Sequence, residues 1–283
     1  MDAVTELLRA VQSPVAFLAL FAVLFVVGKW VNDALSSHSV DRQLTAEDNP
    51  ALAISTAGYY LGIIIVYIGA LLGPSTTLLW DLVLVGGYGL GGILLLLLSR
   101  VINDYLILRG FSAQRELIED RNPGAGAVLF GSYVASAFIV AGSIHGEGGG
   151  PHTALAFYVL GQGALIAFTW LYDLSVPYSL LGQIEQDNVA AGVGFGGGLV
   201  AIGIIVMRAV SGDFVSWAVN LQSLGWNVLL VFVYLVGIRF FFDKVVIPRH
   251  DLNVEIAEDQ NVGASLLEGA VSIGFATVLF FVL

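Results

Sequence analysis

The chain has 283 residues, 57% of them hydrophobic and only 12% charged, with a mean hydropathy of +0.87; soluble domains are roughly 45–50% apolar and about 25% charged, so water is not the main solvent here. A net charge of −11, carried with nine Arg and two Lys, argues against nucleic acid or anionic lipid as the main partner. With no cysteine in the chain, disulfides, thiolate metal sites and thiol nucleophiles are excluded.

Eight apolar runs reach the roughly 20 residues needed to cross a hydrocarbon core of about 30 Å. Their length and the absence of period-2 alternation predict helices rather than barrel strands. The expected fold is all-α: a polytopic membrane protein with eight transmembrane helices joined by connections too short to hold a soluble catalytic domain.

The first run, 14–30, follows an arm with Asp2, Glu6 and Arg9 that lacks a signal-peptide pattern, so it is expected to stay in the mature protein. It ends near Asp33, and Ala46-Glu47-Asp48-Asn49-Pro50-Ala51 opens the second run, 51–73. The third, 76–99, carries Asp81 about one turn inside and ends near Asp104, and Glu119-Asp120-Arg121-Asn122-Pro123-Gly124 opens the fourth, 124–144. A flexible stretch, Gly146-Glu147-Gly148-Gly149-Gly150-Pro151, then divides the chain into expected domains 1–146 and 147–283. The fifth run, 153–172, holds Gln162 and ends near Asp173, and Glu185-Gln186-Asp187-Asn188-Val189-Ala190 opens the sixth, 189–207. The seventh, 214–238, holds Asn220 and Asn227 and ends near Asp243. Glu258-Asp259-Gln260-Asn261-Val262-Gly263 opens the eighth, 262–283, which holds Glu268.

One signature thus recurs four times. Asn49, Asn122, Asn188 and Asn261 are 73, 66 and 73 residues apart, so the first and third, like the second and fourth, are separated by 139. Each is preceded by the repeat Asp (Asp33, Asp104, Asp173, Asp243) and followed nine positions later by a small residue, Gly58, Gly131, Gly197 or Ala270. A unit that crosses twice returns the chain to the same side, so the four units are parallel repeats in two pseudo-symmetric halves. Nine of the eleven Lys and Arg lie on the side of the Asn corners. The positive-inside rule therefore predicts a multi-pass protein of the cell (inner) membrane with cytoplasmic corners and both termini outside.

Acidic residues, then Asn, then small residues opening a Gly-containing helix, after an Asp-bearing loop, resemble the YjfL-like inner-membrane family, a domain of unknown function (DUF350). The clearest matches are 185–191 followed by Gly197, and 258–264; the first half departs by Pro50 and Pro123 after the Asn and by Leu52 where a small residue is more usual. The resemblance covers nearly the whole chain as two tandem domains and implies membrane residence and repeat architecture, with no settled activity to carry over.

Two readings of the corner motif coexist. Asn suits a helix N-cap, Pro the next position, and acidic side chains the positive helix end. Alternatively Glu47, Glu119, Glu185 and Glu258, with Asp48, Asp120, Asp187 and Asp259, line one mouth that attracts cations. Within the spans, Asp81 and its 139-residue counterpart Asn220 keep a polar group at one depth, and Gln162, Asn227 and Glu268 are deeper candidates for a polar path or an interhelical hydrogen-bond network. Glycines four apart, at 58 and 62, 87 and 91, 192 and 196, and 194 and 198, read as close-packing positions. The matches to G-x-G-x-x-G at 87–92 and 192–197 follow no strand and are rejected as dinucleotide sites. His145, Glu147 and His152 read as a solvated loop rather than a metal site.

The expected function is small-ion (cation) transport, by channel or transporter; the alternative is a non-transporting membrane scaffold or stress-related interaction partner. No enzyme activity, cofactor, catalytic residue or metal site is expected. The expected partners are the lipid bilayer, small cations and further copies of the chain as a homo-oligomer.

Overall fold

A computed structural model of the chain describes residues 3–109 and 112–283. Among these residues there are helices and no strands. The helices are α1 (Ala3–Leu35), α2 (Val40–Thr45), α3 (Pro50–Leu71), α4 (Leu78–Leu106), α5 (Ala113–Ile118), α6 (Pro123–Ile144), α7 (Pro151–Ser175), α8 (Leu180–Glu185), α9 (Val189–Val210), α10 (Trp217–Phe241), α11 (Leu252–Ala257) and α12 (Val262–Val282). A π-helical turn, Phe242–Val246, extends α10. Seven of them, α1, α3, α4, α6, α7, α9 and α12, are long and apolar enough to cross a membrane; α10 is 25 residues long.

Each connection between an odd and an even apolar run contains a six-residue helix that the sequence reading missed. Its start is capped by Ser39, Ser112, Ser179 or Asp251, whose side-chain oxygen accepts a backbone N–H. Two or three residues past its end the chain passes through a residue in the left-handed region, Asp48, Arg121, Asp187 or Gln260, with φ of 47°, 53°, 63° and 48°. That turn aims the chain into the following Asn, which caps the next long helix in all four places.

The Asn-capped helices α3, α6, α9 and α12 stand side by side in one row, in that order. Small residues bring their backbones together: a Cβ built on Gly58 would lie 2.5 Å from the Phe130 Cα, and one on Gly131 would lie 2.3 Å from the Gly196 carbonyl oxygen. In lipid, where apolar burial gives little drive between helices, such close approach is what holds them. The other long helices lie along this row, α4 against α3 and α6, and α7 against α6 and α9. Burial follows position: 78% of the central window of α6 and of α9 is buried, against 22% for α12 and 11% for α1. Exposed Leu79, Val83, Leu90, Leu94 and Leu98 on α4 form an outer surface suited to hydrocarbon.

The glycine spacing is half right. Gly58, Gly62, Gly192 and Gly196 are close-packed as expected, but Gly87 and Gly91 face open space, and Gly89 and Gly92 of the same helix make the contacts, with Leu24 and Val66.

Candidate functional site

Each corner Asn does two jobs, and the first three do a third. Its Oδ1 accepts the capping N–H of its own helix: for Asn122 these are the amides of Gly124 at 2.9 Å and Ala125 at 3.2 Å. One Nδ2 hydrogen goes to a side chain of its own short helix, from Asn49 to Gln43 (3.0 Å), Asn122 to Glu116 (2.9 Å), Asn188 to Gln183 (2.7 Å) and Asn261 to Glu255 (2.8 Å). The second reaches a backbone carbonyl of the next short helix: Asn49 to Leu117 (2.8 Å), Asn122 to Ile184 (2.6 Å) and Asn188 to Ile256 (2.8 Å). These bonds put consecutive corners beside one another at one end of the bundle. The Gln or Glu five or six positions before each Asn was legible in the chain as a fourth repeated element, but went unread beside the more conspicuous acids.

Those acids, Glu47, Asp48, Glu119, Asp120, Glu185, Asp187, Glu258 and Asp259, are spread along the row rather than gathered round a mouth. Glu47 pairs with Arg121 at 2.5 Å and Arg42 at 3.3 Å, and Asp120 with Arg115 at 3.2 Å. Among the described residues no three of His, Asp and Glu are grouped to hold a metal ion.

Glu116 is 3% exposed. Burial raises its pKa; the Asn122 hydrogen bond opposes this, and the charges of Asp120, Asp187 and Glu185 add to the rise. A folded-state pKa above the unfolded value of about 4.3 means that the folded chain holds this proton more tightly, so the stabilisation is present at acid pH and is lost as pH rises through the folded pKa. Glu116→Gln, which installs the residue type of Gln43 and Gln183, is expected to raise the thermal midpoint at pH 7. Wild type and variant should converge towards pH 4, and a difference that grew on acidification would contradict the assignment.

Two polar pockets open between paired units near the corner end. In the first half, Arg100 and Asp104, one turn apart on α4, share a cavity of about 200 Å³ with Asn32, His38, Tyr59 and Tyr133. Arg100 donates to Asn32 Oδ1 at 3.1 Å. Burial and then the Arg100 charge hold the His38 imidazole below the usual histidine range. In the second half, Arg239, Asp243, Tyr172, Ser175 and Glu268 line a cavity of about 390 Å³. Adding 139 to Ser36, Arg100 and Asp104 gives Ser175, Arg239 and Asp243, so the two are one pocket duplicated. The linings differ by substitution: Tyr59 and Tyr133 become Gly198 and Ser272, Leu129 becomes Glu268, and the second pocket has rings of its own in Tyr172, Tyr234 and Phe240. A carboxyl is gained at Glu268.

Glu268 is 6% exposed, and its Oε2 has no hydrogen-bond partner, as is true of Arg239 Nη1 and Asp243 Oδ1. Asp243 lies in the π-helical turn, a distortion often found at functional sites. Of the other repeat acids, Asp33 pairs with Lys29 at 2.6 Å and Asp173 with Arg109 at 3.4 Å.

The remaining polar candidates do not converge with Glu268. Asp81 accepts from Ser75 Oγ (2.7 Å) and Thr76 N (2.8 Å), and Asn220 accepts from the Val215 (3.0 Å) and Ser216 (3.2 Å) amides. The two counterparts lock equivalent loops, and both border a cavity of about 450 Å³ with His145, Glu147 and Thr153 at the opposite end. Gln162 donates to Asn103, which donates to Ser132 (2.7 Å) and Ser136 (2.9 Å), while Ser99 bonds Tyr158 (2.9 Å). This is a closed network between α4, α6 and α7. Asn227 is half-buried on α10, with Ser223 Oγ at 3.5 Å.

A row of apolar helices, tied by glycine contacts and holding buried charge away from water, defines a polytopic helical membrane protein. The family model described as Domain of Unknown Function (DUF350) matches residues 6–144 and again 148–283. The chain belongs to the DUF350 family. It is similar to a UPF0719 transmembrane protein of Aquifex aeolicus (strain VF5), 25% identical over 272 residues, which cover 92% of this chain and 96% of that one. It is also similar to the UPF0719 transmembrane protein YshE of Bacillus subtilis (strain 168), 26% identical over 124 residues, 44% of this chain and 87% of the relative. No solved structure matches.

Proposed function

We propose that the chain crosses the cell membrane eight times as four parallel two-helix units, with cytoplasmic corners and outer termini, and that it conducts or transports a small cation through the Glu268 pocket. One observation carries the functional part: a nearly buried carboxyl with a free oxygen, facing Arg239 and Asp243 across a cavity of about 390 Å³. An ionisable side chain in a membrane helix is expensive to keep unless it is used. Two carboxyls against one guanidinium leave the pocket one negative charge when all are ionised, which suits a monovalent cation or a proton. Nine basic residues on the corner side support the orientation.

Purified protein in liposomes, tested with protons and a panel of cations, is expected to give flux above protein-free vesicles, and Glu268→Gln to cut it by about tenfold or more. Background flux for every ion would remove this reading. A specific observation then favours the scaffold alternative: the opposite-end cavity and the two pockets share no lining residue, and Gln162 is enclosed in its network.

A further inference from the structure

The row of helices is built by one rule applied three times, and both of its ends stop with the rule unfulfilled. At each internal boundary the corner Asn gives its second Nδ2 hydrogen to the carbonyl of the fifth residue in the next short helix, Leu117, Ile184 or Ile256. Among the described residues the Asn261 Nδ2 meets no carbonyl of a further unit and is bonded within its own unit, to Glu255. At the other end Leu44, the fifth residue of α2, presents the corresponding carbonyl with no preceding unit to supply a donor. Asn49, Asn122 and Asn188 are buried at 0–1% exposure, while Asn261 is exposed.

The packing positions repeat the same story. The small residue nine positions after each Asn meets the residue eight positions after the next: Gly58 on Phe130, Gly131 on Gly196, Gly197 on Gly269. The unmet members of this set are Ala270 on α12 and Ala57 on α3, both exposed and both small. Likewise Gly126 and Gly192, four positions after their Asn, sit on Ala51 and Gly124, two positions after the preceding one. The end members are Ala53 and Gly263, again exposed and small. The second layer is also short by one contact. α4 packs on α3 and α6, and α7 on α6 and α9, whereas α1 packs among the row helices mainly on α3.

We propose that a second copy of this chain occupies these ends: α12 of one copy packs on α3 of the next in the register of the internal boundaries, Asn261 donates to the neighbour's Leu44 carbonyl, and α1 fills the groove between them. The contact is head-to-tail, so it makes a ring if its rotation closes and an open row otherwise. The occupant is argued from continuity with three interfaces already present in the chain. The similar YshE protein matches 124 residues of this chain over 87% of its own length, a stretch of about two of these units.

The absence of cysteine makes the test direct. In membranes, Ala57→Cys with Ala270→Cys is expected to give, on mild oxidation, a ladder in steps of 30.0 kDa that collapses on reduction, since backbones this close bring the Cα atoms within disulfide range. Ala57→Cys alone, and Ala57→Cys paired with Phe281→Cys at the far end of α12, should stay single. No ladder from the first pair, or an equal ladder from the pair with Phe281→Cys, would overturn the proposal. Should the paired variant fail to fold, the copy number of unmodified protein in bilayers decides: single copies at every density mean that lipid covers these faces. Asn261→Ser keeps a capping oxygen but loses the Nδ2 amide that would reach the neighbour, and is expected to lower the assembled fraction severalfold while the lone chain keeps its helicity.

Discussion

Gly131→Leu is expected to prevent the folded state in detergent, and Gly87→Leu to leave it intact. Each glycine lies in an apolar helix amid other small residues, but only Gly131 holds the repeat position nine residues after a corner Asn. A Cβ at Gly131 would stand 2.3 Å from the Gly196 carbonyl oxygen and 2.7 Å from its Cα, while one at Gly87 meets nothing within 4 Å. Backbone cannot rotate aside as a side chain can, so α6 and α9 would have to part along their length. Ordinary overpacking costs about 1–3 kcal/mol; losing the central boundary of the row should exceed that and consume much of the roughly 5–15 kcal/mol that holds a typical domain. Unfolding in a denaturing-detergent titration, followed by far-ultraviolet circular dichroism, checks both variants. A wild-type transition for Gly131→Leu would mean that α6 and α9 are not in backbone contact.

The second large effect is expected at Asn122. Its replacement by Leu keeps the volume roughly but strands three groups at a site 1% exposed, the Gly124 and Ala125 amides and the Glu116 carboxyl, while the Ile184 carbonyl loses the bond from Asn122 and keeps that from the Asp187 amide. Each buried polar group left without a partner costs about 1–3 kcal/mol, so the sum should reach about 4 kcal/mol even after relaxation. Asn261→Leu, at an exposed corner without the inter-unit bond, should cost the lone chain only about 1 kcal/mol, the worth of a helix cap. Equal losses at the two positions would show that the cap alone matters and that the link to the next unit contributes nothing.

Depth was legible in the sequence, and direction around each helix was not. The eight apolar runs match the long helices within a few residues at most ends, and every corner Asn is an N-cap as its neighbours Pro50 and Pro123 announced. In a lipid-facing helix the protein side and the hydrocarbon side are both apolar, so no polar stripe marks which is which. That is why the Gly87 and Gly91 spacing misled, and why the acids before each Asn read as a shared mouth when the units in fact line up in a row. Counting polar groups by depth found Asp81 and Asn220 as a pair, but only coordinates reveal that both lock a loop. Glu268 was found as an isolated carboxyl. Its pocket neighbours Arg239 and Asp243 were not legible as such, because their approach to α12 depends on how α10 and α12 pack.

Because each unit of the row touches only its immediate neighbours, cohesion in this protein is a matter of nearest-neighbour terms, as in a one-dimensional lattice. The inner members have two partners and the outermost one, so melting should begin at the margins, first at α12, and travel inward as separate steps. A single free energy of unfolding is then not a property of the molecule, and whatever caps the margins governs how long the interior survives.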